Sequence, residues 1–189
     1  MAIFNLFRRR TLRRFARDRK GATAVEFGLI AIPFFVMLVG LGEVSIMQIA
    51  QTNLDMAVGD AARRVRTGEV QTNEQSASQV SAEICTNLNR LITVECSGNL
   101  FLDVRTYESF NAVANPNPIV NGAVDPDGVE FDPGGPGDIV LVRGLYRWEI
   151  ITPFFSSIFG NMAGGDRLLV SSILVRNEPY PVEDEGAMP

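Results

Sequence analysis

The 189-residue sequence contains no histidine. That excludes His-based general acid–base catalysis, Ser-His-Asp and Cys-His nucleophile schemes, and the commonest zinc sites. Lysine is almost as scarce: Lys20 is the single one. Cysteine is limited to Cys85 and Cys96. Two sulfurs without histidine leave a metal site under-ligated, and their spacing is not the C-x-x-C of a redox pair. No metal site and no cofactor follow from such a composition, and no nucleophile motif is recognisable, so the sequence does not read as an enzyme. Disorder is excluded as well, because 46% of the residues are hydrophobic.

Positive charge is concentrated at one end of the chain. Residues 1–20 hold eight basic side chains (Arg8, Arg9, Arg10, Arg13, Arg14, Arg17, Arg19, Lys20) against Asp18, a net +7. Residues 21–189 hold nine basic and 21 acidic groups, a net −12. The overall −5 is therefore an average over two unlike regions.

Directly after the basic block comes the one long apolar run, Gly21–Gly42, whose single charge is Glu26. About 20 apolar helical residues span the ~30 Å hydrocarbon core of a bilayer. The basic flank places residues 1–20 in the cytoplasm and the chain beyond residue 43 outside it. A cleaved secretory signal or a twin-arginine signal on Arg13-Arg14 needs a small-residue cleavage site after the apolar core. The run Met37-Leu-Val-Gly-Leu-Gly-Glu43 offers none. A retained, single-pass membrane helix over residues 22–42 is the expectation, with Pro33 tolerated inside it.

A glutamate inside a membrane segment costs several kcal/mol unless it has a partner. The string Lys20-Gly21-Ala22-Thr23-Ala24-Val25-Glu26-Phe27 resembles the processing site of type IV pilins and pseudopilins. In those chains a membrane-embedded prepilin peptidase cuts after the glycine, on the cytoplasmic side. The resemblance implies a processing site formed by Gly21, Ala22, Glu26 and Phe27, with the cut between Gly21 and Ala22. Glu26 would then lie one helical turn from the new positive amine. At i, i+4 spacing it can pair with its own terminus, or with that of a neighbouring subunit. The wider pattern is similar to the TadE-like family of minor pseudopilins from tight-adherence (Flp-type) pilus systems. It comprises G-A-x-A-V-E-F at Gly21–Phe27, then Pro33, Glu43 and Ala61-Ala62-Arg63. Arg176-Asn177-Glu178-Pro179-Tyr180 also looks like the R-N-E-P ending of many such chains.

The resemblance implies a structural, pseudopilin-like component of a tight-adherence type IVb pilus or type II secretion-related machine. It further implies an inner-membrane location with a periplasmic or extracytoplasmic head, and possible residence in a surface pilus. Its partners would be the membrane, the prepilin peptidase, other pilins and minor pseudopilins, and the pilus assembly platform. The alternative is a membrane-tethered extracytoplasmic enzyme or binding module.

Beyond the membrane the pattern stays helical over 43–66. Gly40, Met47, Ala50, Leu54, Ala57 and Ala61 form a seam that packs either on the chain's own head or on other subunits. Arg63, Arg64 and Arg66 complement the helix C-terminus, and three arginines without aromatic interleaving give no nucleic-acid signal. Gly68 reads as the stop. Residues 67–189 read as an α+β head. A second helix is expected over Asn73–Leu91. Strands are expected at Leu91–Glu95, Leu100–Tyr107, Asp138–Ile151 and Arg167–Arg176, paired antiparallel. Gly144 is expected to mark a bulge, and Phe154–Phe159 a short apolar surface helix or a packing lid. In an oxidising compartment Cys85 and Cys96 are expected to form a disulfide, worth ~3 kcal/mol for so short a loop. The Pro/Gly/Asp-rich loop at 111–138 reads as a solvated excursion. Its Asp125, Asp127, Glu130, Asp132 and Asp138 offer oxygen ligands for Ca²⁺ as an alternative, although they do not follow EF-hand spacing. The fold class is thus α+β: a long N-terminal transmembrane helix, pilin-like, extending into a head with a second helix and a small antiparallel sheet.

Overall fold

A computed structural model gives the architecture and describes residues 21–90, 93–114, 116–125 and 128–181. The basic leader 1–20, Asp127 and the acidic tail 183–189 lie outside the described residues. The fold is α+β. Helix α1 runs Ala22–Arg66, 45 residues with Pro33 inside. It is followed by α2 (Glu69–Thr72), α3 (Ala77–Leu88), β1 (Leu100–Tyr107), the short strands β2 (Ile119–Val120) and β3 (Ala123–Val124), β4 (Ile139–Trp148), α4 (Pro153–Phe159) and β5 (Arg167–Arg176). Two compact units divide at Gly42/Glu43.

In the first unit Val25, Phe27, Leu29, Ile30, Ile32 and Phe35 are all exposed. They point in every direction around α1, as a helix does when its surroundings are apolar on all sides. α1 is long and apolar enough to cross a membrane, which fits a membrane-anchored protein.

The second unit is built on a three-stranded antiparallel sheet of order β1-β4-β5. One sheet face carries Leu102, Val104, Val140, Val142, Tyr146, Trp148 and Leu169, and it packs with Leu54, Ala57, Val58, Ala61, Ala62 and Val65 of α1. The seam residues Ala50, Leu54, Ala57 and Ala61 therefore turn onto the chain's own head. Val80, Ile84 and Leu88 of α3 complete this core.

The expected bulge at Gly144 is absent: the ladder runs unbroken through Leu102↔Gly144 and Gly144↔Ser171. Glycine is needed there for a different reason. A Cβ on Gly144 would overlap Val58 Cγ2 and press on Leu54 Cδ1, so its absence lets the helix lie close on the sheet.

Helix α3 is shorter than the expected 73–91. Ser76 caps its start in a reciprocal box with Gln79, which fixes the first turn. The expected strand over 91–95 does not form: residues 93–95 are irregular, and 91–92 lie outside the described residues. Side chains take the place of ladder partners here. The Val94 N–H donates to Asn89 Oδ1 at 2.7 Å, and the Glu95 carbonyl accepts from Asn99 Nδ2 and Tyr146 Oη. The Cys85–Cys96 disulfide forms, with Cα atoms 6.1 Å apart. It ties α3 to this loop ahead of β1 rather than to a strand.

Much of the 111–138 excursion is exposed, but part of it covers the second sheet face. Val124, Ile119 and Val129 pack there with Leu145, Leu168 and Phe101. Its exit runs along the outer edge of β1, where the Val104 N–H donates to the Glu130 carbonyl and the Asp132 N–H to the Val104 carbonyl.

Candidate functional site: the processing segment and the head of α1

Helix α1 begins at Ala22, so the Gly21–Ala22 bond lies at its very start. Gly21, Ala22, Glu26 and Phe27 are all exposed. A Cβ on Gly21 would meet no atom within 4 Å, so the backbone around the bond is open. Helical geometry sets Ala22 and Glu26 one turn apart on the same face.

The other acid of the α1 motif, Glu43, has a different environment. It is buried, and its carboxylate accepts the Ile151 N–H at 2.9 Å and the Thr152 N–H at 3.1 Å. These two donors belong to the connection between β4 and α4. Two hydrogen bonds to one carboxylate satisfy a charge that would otherwise be expensive to bury. Eighteen residues further along α1 the small side chains of Ala61 and Ala62 are buried against the sheet, and Arg63 is exposed. The sites of the G-A-x-A-V-E-F, Glu43 and A-A-R pattern are thus an exposed N-terminus, a buried cap and a close helix–sheet contact on one helix.

Residues 21–63 are similar to the TadE-like family. The family model of TadE-like protein matches that span, which starts at the glycine before the expected cut and ends at the arginine of A-A-R. The match points to a part in tight-adherence pilus assembly. No curated protein and no solved structure matches the chain.

The R-N-E-P string lies beyond the TadE-like span and forms a clasp. Asn177 is buried, and its Nδ2 donates to the carbonyls of Pro133 and Gly135 at 2.9 Å each. The Glu178 N–H donates to the Arg66 carbonyl at 2.8 Å, and the Glu178 carboxylate pairs with Arg66 at 2.9 Å. The Tyr180 ring sits against Gly68, where a Cβ would overlap it. Gly68 has φ +77°, so it ends α1 in the left-handed region as expected, but the chain then turns one more helical turn as α2. Arg64 pairs with Glu69 and Glu83. Two of the three arginines therefore serve the head's own ion pairs.

Sequence reasoning missed one buried ionic cluster. Asp103 and Arg143 face each other across β1 and β4 and are almost fully buried. Arg143 Nε donates to Asp103 Oδ2 at 2.9 Å. Asp103 Oδ1 accepts from Arg105 Nε at 2.8 Å and from the Glu130 N–H at 2.9 Å. Arg143 also donates to the Pro116 carbonyl at 3.0 Å, and Arg105 to the Gly128 carbonyl. The cluster thereby fastens the excursion to the sheet. Burial pushes the Asp103 carboxyl upward, but the hydrogen bonds from Arg105, Arg143 and Glu130 outweigh it and hold the carboxyl below its ordinary value. A cavity of about 240 Å³ beside it is lined by Arg105, Asn117, Asp125, Arg143 and Leu145, among others. A charged residue within the apolar run of β4 was the available signal.

Among the described residues no group of three or more Asp, Glu, Cys or His converges to hold a metal. Asp132 and Asp138 instead accept the N–H groups of Gly134 and Gly135 in their own turns.

Proposed function

We propose that the chain is a structural, non-enzymatic, pseudopilin-like component of a tight-adherence pilus assembly system. It is made with a basic leader, anchored in the inner membrane through Ala22–Gly42, and processed by a prepilin peptidase between Gly21 and Ala22. The observation that carries this reading is the TadE-like match beginning at Gly21, supported by an exposed, sterically open bond at the start of a helix with bilayer-spanning length. Cleavage removes a +7 segment and leaves an amine on Ala22. Glu26, one turn away, neutralises that amine in its own chain or in a neighbouring pilin, so processing supplies the carboxylate with a partner. The helix then joins other pilins and minor pseudopilins at the assembly platform.

Co-expression with the cognate prepilin peptidase, followed by mass spectrometry of the N-terminus, tests the proposal. A chain starting at Ala22 is expected, and Gly21→Leu should accumulate the precursor. An uncut leader in the presence of active peptidase, or a cut after residue 42, refutes it.

A further inference from the structure

The three most exposed large apolar side chains among described residues 43–181 are Ile151, Phe154 and Ile158, each more than 60% accessible. They gather on and just before α4. Phe154 and Ile158 stand four residues apart and share one helix face. The other face is anchored: Phe155 is buried and stacks on Phe159 with centroids 5.4 Å apart. The exposed face is therefore held rigidly outward. From Ile150 to Gly165 the sequence carries no charged residue. So long a charge-free stretch is unlike the rest of the head, which is acidic.

Glu43 supplies the position of this surface. It is the first residue after the uncharged run Phe27–Gly42, so in an anchored chain it stands where α1 leaves the hydrocarbon. Its carboxylate holds the N–H groups of Ile151 and Thr152, the residues that lead into α4. The hydrogen bonds fix the start of α4 at the depth of Glu43, at the boundary between hydrocarbon and headgroups. There a side chain such as Phe154 or Ile158 meets lipid rather than bulk water.

We propose that Ile151, Phe154 and Ile158 insert into the outer face of the bilayer, making α4 a second, interfacial membrane contact that fixes the head against the surface. The occupant is lipid, recognised by apolar burial and not by charge. Glu149 and Asp166 are the charged residues that bound the segment in sequence, Asp166 is paired with Arg147, and the charge-free stretch between them suits neutral lipid. The inference rests on Ala22–Gly42 being a membrane anchor.

The full chain, reconstituted in phosphatidylcholine vesicles, tests it. A polarity-sensitive fluorophore is attached at Ser157→Cys, an exposed position on α4, without reductant so that the Cys85–Cys96 bond stays closed. The expected result is blue-shifted emission, quenching by spin-labelled lipid, and little effect of salt. Combining Ile151→Ser, Phe154→Ser and Ile158→Ser should move the emission to that of a water-exposed label and abolish lipid quenching, with the thermal transition unchanged. Each apolar-to-polar change should weaken interfacial partitioning by roughly tenfold. A chain that floats with the vesicles while the label stays unquenched by lipid overturns the proposal and leaves the anchor standing. Label protection that depends on the density of protein in the vesicle, without lipid quenching, also overturns it in favour of a protein neighbour. A chain that does not float removes the anchor, and the proposal with it.

Discussion

The two halves of α1 differ in composition and answer to different surroundings. Over 22–42 the apolar side chains cover the whole circumference and remain exposed within the chain. Over 43–66 one face packs on the head, where Leu54, Val58 and Val65 are fully buried, while Val44, Ile46, Ile49 and Met56 stay exposed and Gln51, Asp55 and Asp60 lie off the packed face. A helix that is apolar all round needs an apolar solvent, and one that is apolar on a stripe needs a partner. The change from one regime to the other falls at Glu43, the acid whose charge is satisfied by backbone donors from the head. One continuous helix therefore joins two independent stability problems.

If the problems are independent, single changes should separate them. The largest effect is expected from Asp103→Ala, which strands the buried Arg143 without its carboxylate; such losses cost ~3–5 kcal/mol. Denaturant unfolding of the head should register the full loss while membrane flotation is unchanged; an undiminished midpoint would show that Arg143 finds other compensation. Phe35→Arg places a charge near the middle of the uncharged run, at a cost of ~2.5–3.5 kcal/mol. Extraction by alkaline carbonate should then release a large fraction of the chain, with the disulfide and the head's unfolding midpoint intact. A destabilised head would break the comparison.

Gly144→Ala is expected to cost about 1–3 kcal/mol by driving a methyl group into Val58 and Leu54. It should lower the thermal midpoint without touching insertion, and pairing it with Val58→Ala should recover part of the loss. The smallest effect is confined to acid. The Asp103 carboxyl is held below its ordinary value in the folded head, so the unfolded chain binds the proton more tightly. That contribution is fully present above the unfolded value of about 3.9 and is lost as pH falls through the folded value. Asp103→Asn should flatten this acid limb of the stability profile, and a profile identical to wild type would remove Asp103 as its source.

Much of this was legible in the sequence because the signals were local. The charge-free run and the 3–4-residue seam marked α1, and Leu100–Tyr107 and Arg167–Arg176 are strands with the expected bounds. The disulfide followed from two cysteines and the expectation of an oxidising compartment. What escaped depends on partners distant in the chain. Asp103 and Arg143 are meaningful only once the β1–β4 register is known. Gly144 looked like an interruption because the helix that needs the missing methyl lies far away in sequence. The excursion's Pro, Gly, Asn and Asp residues announced turns, but Ile119, Val124 and Val129 are too scattered to reveal a covered sheet face. The TadE-like motif made Gly21, Ala22, Glu26 and Phe27 legible as candidates. The role of Glu43 stayed hidden because its partners are backbone N–H groups, which any residue carries.

The clasp formed by Asn177 and Glu178 also sets an order of events. Ribosomes and export channels deliver a chain from its N-terminus, so Arg66 emerges long before Glu178. Until then the last carbonyl of α1 lacks its donor, and the Pro133 and Gly135 carbonyls lack the Asn177 amide. α1 can enter the bilayer early, but the head closes only when its final strand and the residues just after it arrive. A chain truncated before Asn177 would be anchored yet unfinished, and its open helix end would expose it to proteolysis.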